Sequence, residues 1–585
     1  MIVKYWLKTK KEFLVSLVLT IISTVFTLII PIFMGRIVGG LSPNSATLFS
    51  EIDLWINFTI IVILAIIAFI ITRNAHIKSA VVSSGALYHL RADVHNAIYK
   101  QSFSYFDETE TGQLVARATS DIEQTQMIFG MGLLMGLSGI FQLSGIIVSS
   151  FLLNPQLAMI FIIVIPISLG TSVLLARKLG PIYYETRQSF GELTTTLREN
   201  IVGAQVVRMF SNQEKERDKF VRNNERFYDA SVRSVKLNSL TMPIAVILIG
   251  IMIILIMYVG GNMILAGQLT LEVLVTFQSY VGLTMFPLMM LGMIMFLYVQ
   301  ADAALTRVRE VLESTPEVTD SPNAIPIEEM KGDVRFENVS FGYTSESRVL
   351  KDISFEVPAG KKLAIIGTTG SGKSTIINLL PRFYEINEGS IKIDGVDIRN
   401  YLLKDLRRNI GIVSQETFLF NKSIEENISF GKADATKEEI IEAAKIANLD
   451  DFIDSLPEGY DTIVGERGTR LSGGQKQRLS IARALIIKPK ILIFDDSTSS
   501  VDVETEYKIQ KALEKIMKGV TTFIITQRIS TIRDADSILV LDQGRIVGFG
   551  VHDELIKSNP LYRQIFETLR QKKSKTQSDE GDYIK

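Results

Sequence analysis

The stretch from Leu471 to Asp502, LSGGQKQRLSIARALIIKPKILIFDDSTSSVD, carries residues suited to phosphate chemistry. Ser472, Gly473 and Gly474 stand just before a run of helical period (Leu479, Ile481, Ala482, Ala484, Leu485, Ile486). Bare backbone N–H groups there would crown the positive end of a helix, where an anion binds well. Pro489 should end that helix. The apolar run Ile491 to Phe494 then reads as a buried parallel strand that delivers Asp495 and Asp496 to its carboxyl end, the edge at which open α/β sheets bind ligands. Taken alone, the same residues also fit a turn, a helix and a core strand with a solvated acidic end.

A phosphate loop upstream turns the pattern into a site. Gly367, Thr368, Thr369, Gly370, Ser371, Gly372, Lys373, Ser374 and Thr375 spell G-x-x-x-x-G-K-[ST], between a predicted strand (Leu363 to Ile366) and a predicted helix (Ile376 to Leu380). The loop amides would cradle phosphates and Lys373 would reach the β and γ groups. Ser374 would ligate Mg²⁺ and Asp495 would hold that ion's hydration shell.

With both stretches in hand, the chain resembles the nucleotide-binding domain of the ATP-binding cassette (ABC) superfamily, an α/β P-loop (RecA-like) fold in which LSGGQ, here Leu471 to Gln475, is the signature. The resemblance covers residues 331 to about 570 and implies ATP and Mg²⁺ as cofactors. By it, Tyr343 in SFGY is the aromatic that stacks on adenine, a contact worth about 1 to 3 kcal/mol. Gln415 in VSQE is the glutamine linking Mg²⁺ to the membrane part, Glu466 in GERG the short acidic motif of exporters, and Asp502 the aspartate after the Mg²⁺ strand.

Two positions depart from the family pattern. Where the family has a glutamate that polarises the attacking water, this chain has Asp496, one methylene shorter. A C–C bond is about 1.5 Å, and a misplacement of about 1 Å can cost on the order of a hundredfold in rate. Where the family has a histidine at the γ-phosphate, ITQRIS supplies Gln527, which hydrogen-bonds but takes up no proton. Phosphate binding is therefore expected intact and hydrolysis at this chain's own site impaired.

The elements that must position these residues begin in a membrane. The chain has 585 residues, 47% hydrophobic, with mean hydropathy +0.24, which implies several domains and a membrane portion. A net charge of −1 gives no basic excess for nucleic acid. The absence of cysteine excludes a disulfide framework and thiolate metal sites. His76, His89, His95 and His552 lack ligand spacing and read as structural.

Lys4, Lys8, Lys10 and Lys11 beside Trp6 and Phe13 suit a short helix at the membrane surface, followed by a retained membrane helix. Apolar segments near 13–34, 54–72, 127–153, 156–176, 240–266 and 271–299 are each long enough to span hydrocarbon about 30 Å thick. Short, uncharged connections follow the third and fifth, whereas 73–126 and 177–236 are dense in Arg and Lys. Those two connections are therefore expected in the cytoplasm, with both termini. Within them, Leu87-Tyr88-Leu90-Val94-Ile98 and Val202-Val206-Val207-Phe210 show amphipathic spacing, so the membrane helices should continue outward and turn back near Phe106 to Gly112 and Phe210 to Lys215. The resemblance implies that these turns dock on nucleotide-binding domains.

Met285, Met289, Met290, Met293 and Met295 crowd the sixth segment. Occurring on all faces, they fit helix packing or lipid contact better than a single cavity, although thioethers also suit adaptable apolar binding. Gln142, Tyr258, Gln278 and Tyr280 are the polar candidates within the spans, and no Asp, Glu, Lys or Arg sits deep in one, against an ion path.

The organisation expected is a six-helix transmembrane domain at 1–313, a linker at 314–330, the nucleotide-binding domain at 331–570 and a disordered tail at 571–585. The resemblance implies one half of an exporter, a multi-pass protein of the cytoplasmic membrane. Its expected partners are a related half-transporter, membrane lipid and a hydrophobic or amphipathic substrate. In the family, each ATP lies between one chain's phosphate loop and the other's LSGGQ, so Asp496 and Gln527 favour a heterodimer in which the partner brings a complete catalytic set. A homodimeric exporter of lipid or peptide, or a regulatory ATP-binding gate, would also suit these residues.

Overall fold

The computed structural model describes residues 4–5, 8–41, 50–344, 347–496, 517 and 519–582. It divides into two compact units: Met1–Tyr99 with Thr111–Ser314, and Lys100–Glu110 with Thr315–Lys585.

In the first unit, among the described residues, six helices are long and apolar enough to cross a membrane. They include Lys10–Gly40, Glu51–Tyr99, Met131–Leu153, Pro155–Val202, Thr241–Leu265 and Leu271–Glu313. The 49 residues of Glu51–Tyr99 extend about 74 Å, more than twice a hydrocarbon core of about 30 Å. Helices continuing beyond the apolar spans thus match the expected periodicity. Asn154 starts the fourth, its side chain accepting from the amides of Gln156 and Leu157 at 3.0 Å each, with Pro155 in the first turn.

The two amphipathic runs behave differently. Leu87, Leu90 and Val94 are buried with Ile122, Phe129, Val308 and Val311, whereas Tyr88, one position off that stripe, is exposed. The second run does not form one helix. It breaks at Gly203 and resumes as Ala204–Met209, and Val202, Val206 and Phe210 are exposed. A glycine within the run costs about 1 kcal/mol of helix propensity relative to alanine, and no packed face compensates for it.

Among the polar candidates of the spans, Tyr280 is buried and donates to the carbonyl of Leu28 at 3.0 Å, and Gln142 donates to the carbonyl of Leu283 at 3.3 Å. Both bond to neighbouring backbone. Tyr258 is exposed on its helix.

In the second unit, strands β1 (Val334–Phe341), β2 (Leu350–Val357), β4 (Glu388–Ile393) and β5 (Val396–Asp397) form an antiparallel sheet in the order β2-β1-β4-β5. The larger sheet combines β3 (Lys362–Gly367), β6 (Ile410–Val413), β7 (Ile491–Asp496), β8 (Thr521–Thr526), β9 (Ser537–Asp542) and β10 (Arg545–Gly550) in the order β10-β9-β3-β8-β7-β6. All but β10 run parallel. Their near-continuous apolar sequences follow from burial on both faces. Phe336, Phe355, Ile365, Ile376, Ile391 and Phe523 belong to one core, and Ile440, Leu479, Ile481 and Phe494 to a second.

Asp394, in a left-handed turn with φ 52°, accepts from the amides of Lys331, Gly332 and Asp333 at 2.8, 3.0 and 2.9 Å. Hydrogen bonds to a charged group contribute about 1.5–3 kcal/mol, so Asp394→Ala should cost about 2 kcal/mol. The check is a lower thermal midpoint for the full chain. The helix Pro560–Asp582 carries into the tail expected to be disordered; its Gln and Lys residues are good helix formers.

Candidate functional site

The phosphate loop follows β3, and its shape depends on glycine. Gly367 has φ 154°, and a Cβ there would lie 2.2 Å from the carbonyl oxygen of Leu541; Gly372 has φ 100°, with Leu350 Cδ2 at 2.6 Å from its Cβ position. Any larger residue must displace neighbouring chain. Lys373 begins the helix Lys373–Leu379 and turns its Nζ back onto the carbonyls of Gly367 and Thr368 at 3.2 and 2.7 Å. Burial holds its pKa below the ordinary value, opposed by the nearby charge of Asp495. A phosphate arriving there would add its negative charge to that of Asp495 and favour the ammonium form. Thr368 Oγ1 is steadied by Asp542 at 3.1 Å.

The parallel register brings the other candidates to the same sheet edge. Asp495 pairs with Ile525 and Asp496 with Thr526, so Gln527, exposed, follows directly beyond β8 and Asp496 ends β7. Gln415 is exposed just past β6, the strand next to β7. Ser374 Oγ donates to the Asp495 carboxylate at 3.4 Å. The Tyr343 hydroxyl lies 3.1 Å from Thr375 Oγ1, and its half-exposed ring can take a stacking base.

The signature lies on the helix Gly473–Leu485, capped by Ser472 in a reciprocal box with Gln475. Gly473 is exposed and Gly474 buried. Among the described residues no hydrogen bond joins this helix end to the phosphate loop. Asp502 lies outside the described residues, as do the side chains of Asp496, Met293 and Met295.

Two features fit a triphosphate and a hard cation. Ser371 Oγ is buried without a hydrogen-bond partner inside the loop, an orphan that a phosphate oxygen would satisfy. Ser374 and Asp495 offer only oxygen, and among the described residues no cluster of three or more His, Cys, Asp or Glu forms a competing metal site; oxygen donors suit Mg²⁺. Lys373→Ala should weaken ATP binding by the chain, read as a higher Kd, because it removes an ammonium held against the loop.

Sequence patterns missed several supporting residues. Arg483 donates to the carbonyls of Phe418 and Asn427 at 2.8 and 2.9 Å, tying the signature helix to the segment after Gln415. An arginine set between the buried Ala482 and Ala484 was the available signal. Tyr384 was also missed. The turn expected at Phe106 to Gly112 is the short helix Phe103–Glu108, which packs through Phe103, upstream of the expected stretch.

Family comparisons place the chain. Residues 13–288 match the ABC transporter transmembrane region, and 350–499 match the ABC transporter domain. The chain is 36% identical over 565 residues to the uncharacterized ABC transporter ATP-binding protein YknU of Bacillus subtilis (strain 168), covering 95% of this chain and 94% of that protein. It is 37% identical over 536 residues to the ATP-dependent lipid A-core flippase of Syntrophus aciditrophicus (strain SB), covering 91% and 88%. A solved bacterial Atm1-family ABC exporter with ATP bound superimposes with a TM-score of 0.82 at 29% identity, over 96% of this chain and 98% of that one. With the phosphate loop, the signature and the apolar helices all in one chain, this protein belongs to the ABC transporter family, as a multi-pass membrane exporter that binds and hydrolyses ATP.

Proposed function

We propose that the chain is one subunit of a heterodimeric exporter of hydrophobic or amphipathic compounds, contributing a catalytically weak ATP site of its own and an intact signature to its partner's. The observation that carries this reading is the pairing of a complete phosphate loop with Asp496 and Gln527 at the ends of neighbouring strands β7 and β8. Two such changes at one site impair water activation while leaving binding groups in place. The lipid A-core flippase among its relatives and spans without deep charges support an apolar or amphipathic cargo. Both termini and the nucleotide domain would then lie in the cytoplasm.

In this reading Lys373 and the loop amides bind and orient the β and γ phosphates. Tyr343 takes the base, and Ser374, Asp495 and Gln415 would hold Mg²⁺, which when bound neutralises charge developing on the phosphates. Gly473 offers its amide to the nucleotide on the partner's loop, whereas the amide of Ser472 is taken up by the Gln475 side chain. Asp496 and Gln527 orient water poorly on this chain's own loop. The test is reconstitution in lipid vesicles, alone and with a related half-transporter that carries glutamate and histidine at these two positions. ATP-dependent uptake of a lipophilic dye only by the pair is expected; selective movement of a small, highly polar solute refutes the cargo class. Asp495→Asn should reduce the Mg²⁺-dependent part of ATP binding more than binding measured in EDTA.

A further inference from the structure

The start of the chain is pinned to a helix far along it. Tyr5 is 1% exposed, packed with Leu87, Leu90 and Val308 and edge-on to Phe129, with centroids 6.1 Å apart and planes at 84°. Its hydroxyl donates to Asp93 Oδ2 at 3.0 Å, and Lys4 Nζ donates to the same oxygen at 3.1 Å. Burial pushes the Asp93 carboxyl up, but these two bonds outweigh it and hold its pKa below the ordinary value, so the anchor is charged. The socket takes the ring and the carboxylate takes the hydroxyl, which fixes the depth and direction of the segment that Tyr5 carries.

That segment is cationic. Thr9 Cγ2 lies 2.9 Å from the Cβ position of Gly85, and Ser16 Oγ donates to the Ala75 carbonyl at 2.9 Å. Residues 9–16 therefore run antiparallel along 75–85, at the level where the apolar segments 13–34 and 54–72 meet their polar continuations. Lys8, Lys10 and Lys11, with Arg73 and Lys78 on the facing helix, gather at this level, and all five are exposed. Among the described residues none of the five forms an ion pair. Asp93 is already taken by Lys4, and Glu12 is the one carboxylate within 8–16 and 73–85.

We propose that this cluster is a docking site for the headgroups of anionic phospholipids, held in shape by the Tyr5–Asp93 anchor. The inference deepens the reading of the N-terminal lysines as a membrane-surface segment and rests on it. Cations at the edge of the hydrocarbon, left unneutralised by the chain, gain about fivefold in affinity per charge from an anionic surface, and a zwitterionic headgroup returns little of that. Leu14, Val15 and Val18, exposed just beyond the lysines, give acyl chains a surface that a soluble anion cannot use. Tyr5 is a positioning residue: the ammonium groups of Lys4 and Lys8 lie 5.5 and 5.9 Å from its ring centroid.

The chain has two tryptophans, Trp6 and Trp55, so in a Trp55→Phe background Trp6, between Tyr5 and Lys8, reports alone. The full chain is placed in lipid nanodiscs containing brominated phosphatidylglycerol or, separately, brominated phosphatidylcholine, and quenching of Trp6 gives the relative affinity for the two. The anionic lipid should be preferred by about tenfold or more at low ionic strength. Lys10→Gln with Lys11→Gln should reduce that preference at least about fivefold. Tyr5→Ala changes no charge and should reduce it as well. Asp93→Asn separates a built site from diffuse attraction by sign: it adds positive charge, so diffuse attraction would raise the preference, whereas loss of the anchor lowers it. Radiolabelled ATP binding by each variant reports retained folding.

The proposal is overturned if the two lipids quench Trp6 equally, or if Tyr5→Ala and Asp93→Asn, both folded, keep or raise the preference. It is equally overturned if millimolar glycerol 3-phosphate abolishes the preference, because the ligand is then a free phosphate. Absence of quenching by either lipid would instead overturn the membrane-surface reading of the segment, and this inference with it.

Discussion

Gly473→Asp in this chain, paired with an unmodified partner, is expected to lower steady-state ATP hydrolysis by about a hundredfold or more, while Asp496→Asn changes it only modestly. The loss expected on removing an oriented donor from a transition state is on the order of 10² to 10³ in rate. Gly473 is the first residue of its helix and is exposed, and its φ lies outside the left-handed region, so aspartate fits the backbone. An acidic residue in a first helical turn is also favourable to the helix itself. The substitution should therefore leave folding intact while placing a carboxylate where the partner's γ-phosphate must approach. Equal thermal midpoints for variant and parent would confirm that the loss is chemical. In the asymmetric reading proposed above, Asp496 belongs to the other, weaker site, and its loss should remove little from the total. If Asp496→Asn proves the more damaging of the two, Asp496 is a working base and the asymmetric reading is wrong.

Both the fold and the candidate site were legible where local chemistry is strict. The phosphate loop cannot be built without small residues at Gly367 and Gly372, and a strand buried on both faces, such as β7, leaves an unbroken apolar run before its acidic end. The long helices were legible because the stripe Leu87, Leu90, Val94 persists beyond the apolar span. What sequence could not supply was contact across long separations. Tyr384 meets Asp107 across 277 positions, and nothing local distinguishes a tyrosine that joins two parts of a fold from one that merely fills a core. The exposed run around Val206 failed for a related reason. Helical spacing shows which residues share a face, not whether a neighbour covers it.

The second large effect is a gain. The chain purified alone should bind Mg²⁺-ATP and turn it over slowly, because a self-paired dimer would contain two weakened sites. Introducing Asp496→Glu together with Gln527→His should raise that rate by about a hundredfold, the scale associated with repositioning a reacting group by about 1 Å. The sheet makes the change plausible in a single step. β7 and β8 are adjacent and in parallel register, with Asp496 opposite Thr526, so the two altered positions lie at the same edge beside Ser374 and Lys373. Both substitutions fall at strand ends, and Gln527 is exposed, so its replacement leaves the core undisturbed. Glutamate restores reach toward the water, and histidine restores a group that can donate to the γ-phosphate and exchange a proton. Each alone should recover less, because a carboxylate without the orienting imidazole, or the reverse, leaves the water or the phosphate held from one side only. The measurement is ATPase rate per chain for the parent, both single variants and the double variant, at saturating nucleotide. A parent chain already hydrolysing ATP as fast as the double variant would show that Asp496 and Gln527 are competent as they stand, and a self-sufficient homodimer would then be the correct assembly.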